Sequence, residues 1–164
     1  NPGDVESIVC NTAEGIVHRL WEPLALKQNP PNGYAAKFSI PYAIAVAMIR
    51  GDAGLNDYQE DVVHNPNIVS LAKKITYIVD PNNPYPNQFT GHIRAYLKDG
   101  TILEHAQDFF RGGKDAPMSM EALESKFIAN CVYGGWSNSL ATESLGVLKA
   151  LRRSSRVDLS ILRN

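Results

Sequence analysis

Residues 34–51 read Y-A-A-K-F-S-I-P-Y-A-I-A-V-A-M-I-R-G. Ser39 is a strong helix N-cap, and Pro41 suits a first turn, where its missing N–H is no loss. Gly51 fits the left-handed position that ends a helix, with Arg50 beside the carbonyl end. The run between these signals is apolar all round, which predicts a buried helix. It is too short to cross a bilayer, which takes ~20 apolar residues. Its alanines let other elements approach closely. Tyr42 is its one polar handle, and a buried tyrosine hydroxyl usually finds a partner.

Upstream, residues 5–10 form a β-branched run that predicts a strand. Residues 16–21 alternate moderately and predict a second strand or a continuation of the first. Residues 23–33, rich in Pro, Asn and Gly, predict a loop. Downstream, residues 58–64 read as a short helical turn. Asn65 as N-cap and Pro66 at the first position start another helix. Ile68, Val69, Leu71, Ala72 and Ile75 give it an apolar stripe, with Lys73 and Lys74 in its last turn. Residues 76–79 predict a strand, and the prolines of 80–87 a loop. Asp99-Gly100 between residues 91–97 and 101–107 predicts a hairpin with a two-residue type I′ turn. That register sets Leu97 opposite Ile102, Tyr96 opposite Leu103 and His105 opposite Arg94. Ser119 caps a further helix that buries Leu123, Phe127 and Cys131. Gly134-Gly135 breaks the chain, residues 137–153 form another helix, and residues 157–162 an apolar tail.

This order predicts an α+β fold: a small antiparallel or mixed sheet with a β-hairpin, covered by helices, plus C-terminal helices. The expected division is 1–133 for the α+β domain and 134–164 for a helical segment. The opening Asn1-Pro2-Gly3 reads as the tail of a linker, so the 164 residues read as part of a longer protein.

Composition narrows the function. The chain carries 16 Lys and Arg against 17 Asp and Glu, a net charge of -1. That balance gives no electrostatic case for nucleic acid or an anionic membrane. The basic run Lys149, Arg152, Arg153 and Arg156 reads as the solvated end of a helix. Cys10 and Cys131 form no C-x-x-C pair and read as buried thiols in a reducing, cytoplasmic setting. Four scattered histidines, His18, His64, His92 and His105, suggest no metal site. There is no phosphate-cradling glycine loop, no G-x-S-x-G and no H-E-x-x-H. What remains is an anion-friendly spot at residues 37–42, where Lys37 meets a helix N-terminus. Arg111 beside Gly112-Gly113 is a weaker carboxylate candidate.

Residues 36–51 resemble the F-S-x-x-Y signature of the MmgE/PrpD family. The pieces that follow keep the family's order: Tyr58-Gln59-Glu60-Asp61, Asn65-Pro66-Asn67-Ile68, the Leu97-Lys98-Asp99-Gly100 hairpin, the Arg111-Gly112 loop and Lys126-Phe127. The resemblance implies the C-terminal lid domain of a lyase, a dehydratase or decarboxylase, acting on a small di- or tricarboxylate such as 2-methylcitrate or cis-aconitate. Metabolism of such acids, propionate metabolism included, is the implied setting. Activity would reside in the full-length protein, with an N-terminal helical domain as partner and a homodimer as a compatible assembly. No cofactor and no metal are implied. The resemblance gives Tyr42 a catalytic role; Ser39 and Lys37, at the same helix start, are the expected substrate-binding residues. A same-fold isomerase or epimerase, and a non-catalytic docking or dimerisation module, are the alternatives.

Overall fold

The computed structural model describes residues 1–151 and residue 160. The chain packs as two compact units, Asn1–Ala116 and Pro117–Asn164. The first opens with a 3-10 turn at Pro2–Asp4 capped by the Asn1 side chain. It continues as β1 (Val5–Thr12), α1 (Glu14–Leu20), α2 (Leu24–Gln28), α3 (Gly33–Ala36) and α4 (Ile40–Arg50). A 3-10 turn at Leu55–Tyr58 leads to α5 (Glu60–Val63), α6 (Pro66–Ala72), β2 (Ile75–Val79), β3 (Gly91–Leu97) and β4 (Ile102–Gln107). The second unit holds α7 (Met120–Tyr133) and α8 (Asn138–Ala150). Arg152, Arg153, Arg156 and, Ser160 apart, the expected tail at 157–162 lie outside the described residues.

The four strands form one mixed sheet in the order β2-β1-β3-β4. β1 runs parallel to β2 and antiparallel to β3, and β3 and β4 form the hairpin. The fold is therefore α+β with a mixed sheet. Side chains alternate across a strand, so one face of β1 carries Ile8, Cys10 and Thr12, all buried. Val5 joins that face despite its odd number because the pairing with β3 shifts between Val5 and Ser7. The helices between β1 and β2 cover this face. Tyr42, Ala45 and Val46 of α4, Ile68, Leu71 and Ala72 of α6, and Trp21 complete the core with Ile75.

α4 forms as its signals predict. The Ser39 side chain caps it, Pro41 sits in its first turn, and Gly51 ends it in the left-handed conformation at φ 82°. It is not buried all round, however: Met48 and Arg50 are exposed, and the fully buried positions fall on one side. Residues 16–21 depart from the expected strand and belong to α1 and its C-cap. Ile16 with Leu20, and Val17 with Trp21, are four residues apart, a helical spacing that the weak alternation concealed. Ile75 belongs to β2 rather than to the α6 stripe, since the helix ends at Ala72. The predicted loop at 23–33 holds α2 and the start of α3. Gly33 is needed there, because a Cβ at that position would run into the Tyr58 carbonyl.

The hairpin register is one residue away from the predicted one. Tyr96 faces Ile102, Ala95 faces Leu103, Arg94 faces Glu104 and Ile93 faces His105. A type I′ turn needs positive φ at both central residues, and here only Gly100 has it, at 86°. Lys98, Asp99 and Gly100 instead make a three-residue loop, closed by Gly100 N–H on the Leu97 carbonyl and Leu97 N–H on the Thr101 carbonyl. A one-residue slip moves side chains to the other face. His105 thereby joins Ile93 on the helix-covered side, and Glu104 joins Arg94 on the open side.

In the second unit, Ser119 and Ser137 cap α7 and α8 through their side chains. Glu124 and Lys149 pair across the two helices at 2.6 Å. The division at residue 116 precedes the expected break at Gly134, because α7 packs with α8. Leu123, expected inside, is exposed.

The two sheet faces differ in what they bury, and that is measurable. Ile8→Ala should lower unfolding free energy by about 2–5 kcal/mol, read from urea midpoints. Ile78→Ala, on the open face and 51% exposed, should cost about 1 kcal/mol or less. Equal losses would refute the assignment of faces.

Candidate functional site

The N-terminus of α4 is where the sequence places its functional residues. The Ser39 hydroxyl accepts the Tyr42 N–H at 3.0 Å and donates to the Lys27 carbonyl at 2.5 Å. Lys27 returns the contact: its Nζ donates to the carbonyls of Arg19 at 2.6 Å and Phe38 at 2.7 Å. Burial holds its pKa below the ordinary lysine value. Of the other first-turn amides, Pro41 has none and Ala43 donates to the Ser39 carbonyl. Ser39 is buried, so its oxygen is committed to the cap. Lys37 is exposed and makes no ion pair or side-chain hydrogen bond with a described residue. Beside it, the Arg19 guanidinium lies 5.3 Å from the Phe38 ring centroid, a cation–π distance.

Tyr42 is fully buried, and its hydroxyl donates to the Asp57 carbonyl at 2.5 Å. Its ring packs 5.6 Å from that of Tyr58. Burial first, then Tyr58 and Asp57, push its pKa up to about 12. The Asp57 carboxylate takes the Arg50 Nε–H at 2.5 Å and the Gly54 N–H at 2.8 Å. One turn, residues 54–57, thus ties both ends of α4. The sequence expected the phenol at a cleft; the structure sets it beneath this turn. Asp57 escaped sequence reading, although Gly-x-x-Asp is half of a capping box and signals that turn.

A separate cavity of about 250 Å³ opens between α4 and the β3–β4 end of the sheet. Its walls are Trp21, Ile40, Ile44 and Ile93, with Cys10 and Thr12 at the β1 side. His105 and Gln107 border it as well. Thr12 accepts the Trp21 indole N–H at 3.0 Å. Burial pushes the Cys10 thiol up to about 12.

On the open sheet face, Glu104 receives Arg94 and contacts His92 Nε2, each at 2.6 Å. Arg94, then His92, hold its carboxyl below the ordinary carboxylate range. His92 and His105 lie on opposite faces. Among the described residues no group of three or more His, Cys, Asp and Glu is placed to hold a metal, and no helix is long and apolar enough to cross a membrane.

A fold of this kind, with a capped F-S-x-x-Y helix on a mixed sheet, defines a class. A family model described as "MmgE/PrpD C-terminal domain" matches residues 1–139. The chain belongs to the MmgE/PrpD family and comprises its C-terminal domain. Among curated relatives, cis-aconitate decarboxylase of Mus musculus is 31% identical over 103 residues, covering 62% of this chain and 21% of that protein. The Homo sapiens decarboxylase is 29% identical over 102 residues, with the same coverage. The 2-methylcitrate dehydratase of Cupriavidus necator is 26% identical over 107 residues, 62% of this chain and 21% of that protein. The chain spans about a fifth of the length of these relatives.

The raised pKa values predict an alkaline weakness. Cys10 and Tyr42 ordinarily titrate at 9.0 and 10.0 and are both pushed up to about 12. The folded state therefore holds protons that the unfolded chain releases, and this stability is complete below pH ~9 and lost as pH rises toward ~12. Urea midpoints should be flat up to pH ~9 and fall above it. Tyr42→Phe should cost about 1–2 kcal/mol at neutral pH, since it strands the Asp57 carbonyl, and should shallow the alkaline fall. A flat profile up to pH ~11 would contradict the burial of both groups.

Proposed function

We propose that this domain forms part of a lyase that removes carbon dioxide or water from a small di- or tricarboxylate. The observation that carries this reading is the family match together with its two kinds of relative, a decarboxylase of cis-aconitate and a dehydratase of 2-methylcitrate. Both substrates are polyanions, so the site needs cations that are not already paired. Among the described residues Lys37 is such a cation, at the head of a helix whose dipole also favours negative charge. Arg19, against Phe38, adds a second.

Tyr42 contributes in this reading as a neutral phenol. With its pKa near 12 it holds its proton at neutral pH. Its hydrogen bond to the Asp57 carbonyl fixes the height of α4, and so the place of Lys37. Ser39 does the same from the other side through Lys27. The remainder of the protein, the helical domain that the resemblance implies, supplies the other wall of the site and the groups that move protons.

The test uses the full-length protein, given cis-aconitate and 2-methylcitrate separately. Carbon dioxide release or loss of water is followed on each. One of the two should be consumed. Lys37→Gln should raise KM about tenfold or more with kcat little changed, the worth of a charge-assisted hydrogen bond. A folded full-length protein that consumes neither acid would overturn the reading.

A further inference from the structure

The cavity between α4 and the β3–β4 end has a chemistry unlike that of a polyanion site. Among the described residues no Lys, Arg, Asp or Glu lines it. Its walls are mainly aromatic and branched aliphatic, with Trp21, Ile40, Ile44 and Ile93, and His92, His105, Asn11 and Gln107 line it as well. A di- or tricarboxylate would leave its hydration there with no Lys or Arg to receive it, and only the imidazoles of His92 and His105 on the wall, which is unfavourable. At about 250 Å³ it is somewhat smaller than the pockets that take drug-sized ligands, ~300–1,000 Å³.

One buried polar group on its wall is half-used. Thr12 is 4% exposed and lines the cavity. Its Oγ1 accepts the Trp21 indole N–H, but its own O–H donates to no described residue. A hydroxyl has one donor and two acceptor sites, and a buried donor without an acceptor is costly. The Cys10 thiol beside it, also buried, is a second and weaker unpaired donor. A mainly apolar cavity with an unused hydroxyl donor on its wall selects a guest that carries an acceptor.

We propose that this cavity binds a small neutral molecule, mainly apolar, with one acceptor oxygen: a ring or branched chain bearing a carbonyl. The apolar part fills the space between Ile40, Ile44 and Ile93, and the oxygen accepts the Thr12 O–H. The site is distinct from the Lys37 end of α4 in charge and in ligand class, and does not depend on the lyase reading.

Cyclohexanone is the probe, and the Trp21 indole N–H resonance of the 164-residue chain is the readout, because that proton is bonded to Thr12. Titration should shift this resonance saturably, with the Trp136 indole as an internal control. Cyclohexanecarboxylate, of similar shape but charged, should not produce the shift. Thr12→Val should weaken cyclohexanone binding about fivefold, the worth of one neutral hydrogen bond. Ile44→Trp, which fills the chamber, should abolish binding while the thermal transition stays cooperative. Since Thr12→Val also frees the indole, its affinity is read from Ile44 and Ile93 methyl shifts instead. No shift up to the solubility limit of cyclohexanone, equal binding of the carboxylate, or undiminished binding by a folded Ile44→Trp variant would each overturn the proposal.

Discussion

A phenol inside a protein core must donate its hydrogen bond to something, and among the described residues the Tyr42 hydroxyl has only the backbone carbonyl of Asp57. The remaining organisation of α4 follows from that constraint. To bring the carbonyl there, the chain after Gly51 doubles back in a 3-10 turn, and the turn needs its own fastening. Asp57 provides it by accepting from Gly54 N–H and Arg50 Nε. Arg50 is the last residue of the helix whose first turn holds Tyr42. The helix and the turn therefore hold one another. The N-terminal end is fastened a second time, by Ser39 and Lys27, whose carbonyl and ammonium are both engaged. A surface ion pair alone contributes ~0–1 kcal/mol. The strength of the arrangement comes from burial and from leaving no partner unsatisfied.

The parts that the sequence made legible are those with local causes. Ser39, Pro41 and Gly51 act within one or two turns of themselves, so the limits of α4 could be read directly. Asn65-Pro66 did the same for α6. The misreadings concern choices settled at longer range. Residues 16–21 alternate well enough for a strand, but Trp21 gains a buried hydrogen bond with Thr12 and a ring contact with Tyr77 at 4.9 Å only if the chain turns back as a helix. Asp99-Gly100 suits either a two- or a three-residue loop. The longer one wins, and it puts Leu103 beside Ala95 on the covered face rather than opposite Tyr96.

For the site, residue type was legible and environment was not. Lys37 and Ser39 were identified as functional candidates at a helix start, and Tyr42 through the family resemblance. Sequence does not reveal that Lys27, twelve residues upstream of Ser39, occupies the cap from below, or that Asp57 roofs the phenol. Both partners bond through or to main-chain carbonyls, which every residue has, so no side-chain pattern announces them. The outcome separates the three residues by availability: two are committed to fastening α4, and Lys37 is left at the surface with its charge unpaired among the described residues.

The open face of the sheet shows a different way of handling unused polarity. β4 is an edge strand, and exposed edges invite pairing with other chains. Its third residue, Glu104, bonds back to Arg94 and His92 of β3, so a charge sits on that face near the edge. An incoming strand would have to place a side chain beside that carboxylate, and an apolar one would strip water from it without replacing the bonds. The slip in hairpin register is what makes this contact, since the predicted pairing would set His105 rather than Glu104 opposite Arg94. The three-residue turn thus does more than close the hairpin: it decides which face of the edge strand carries the charge.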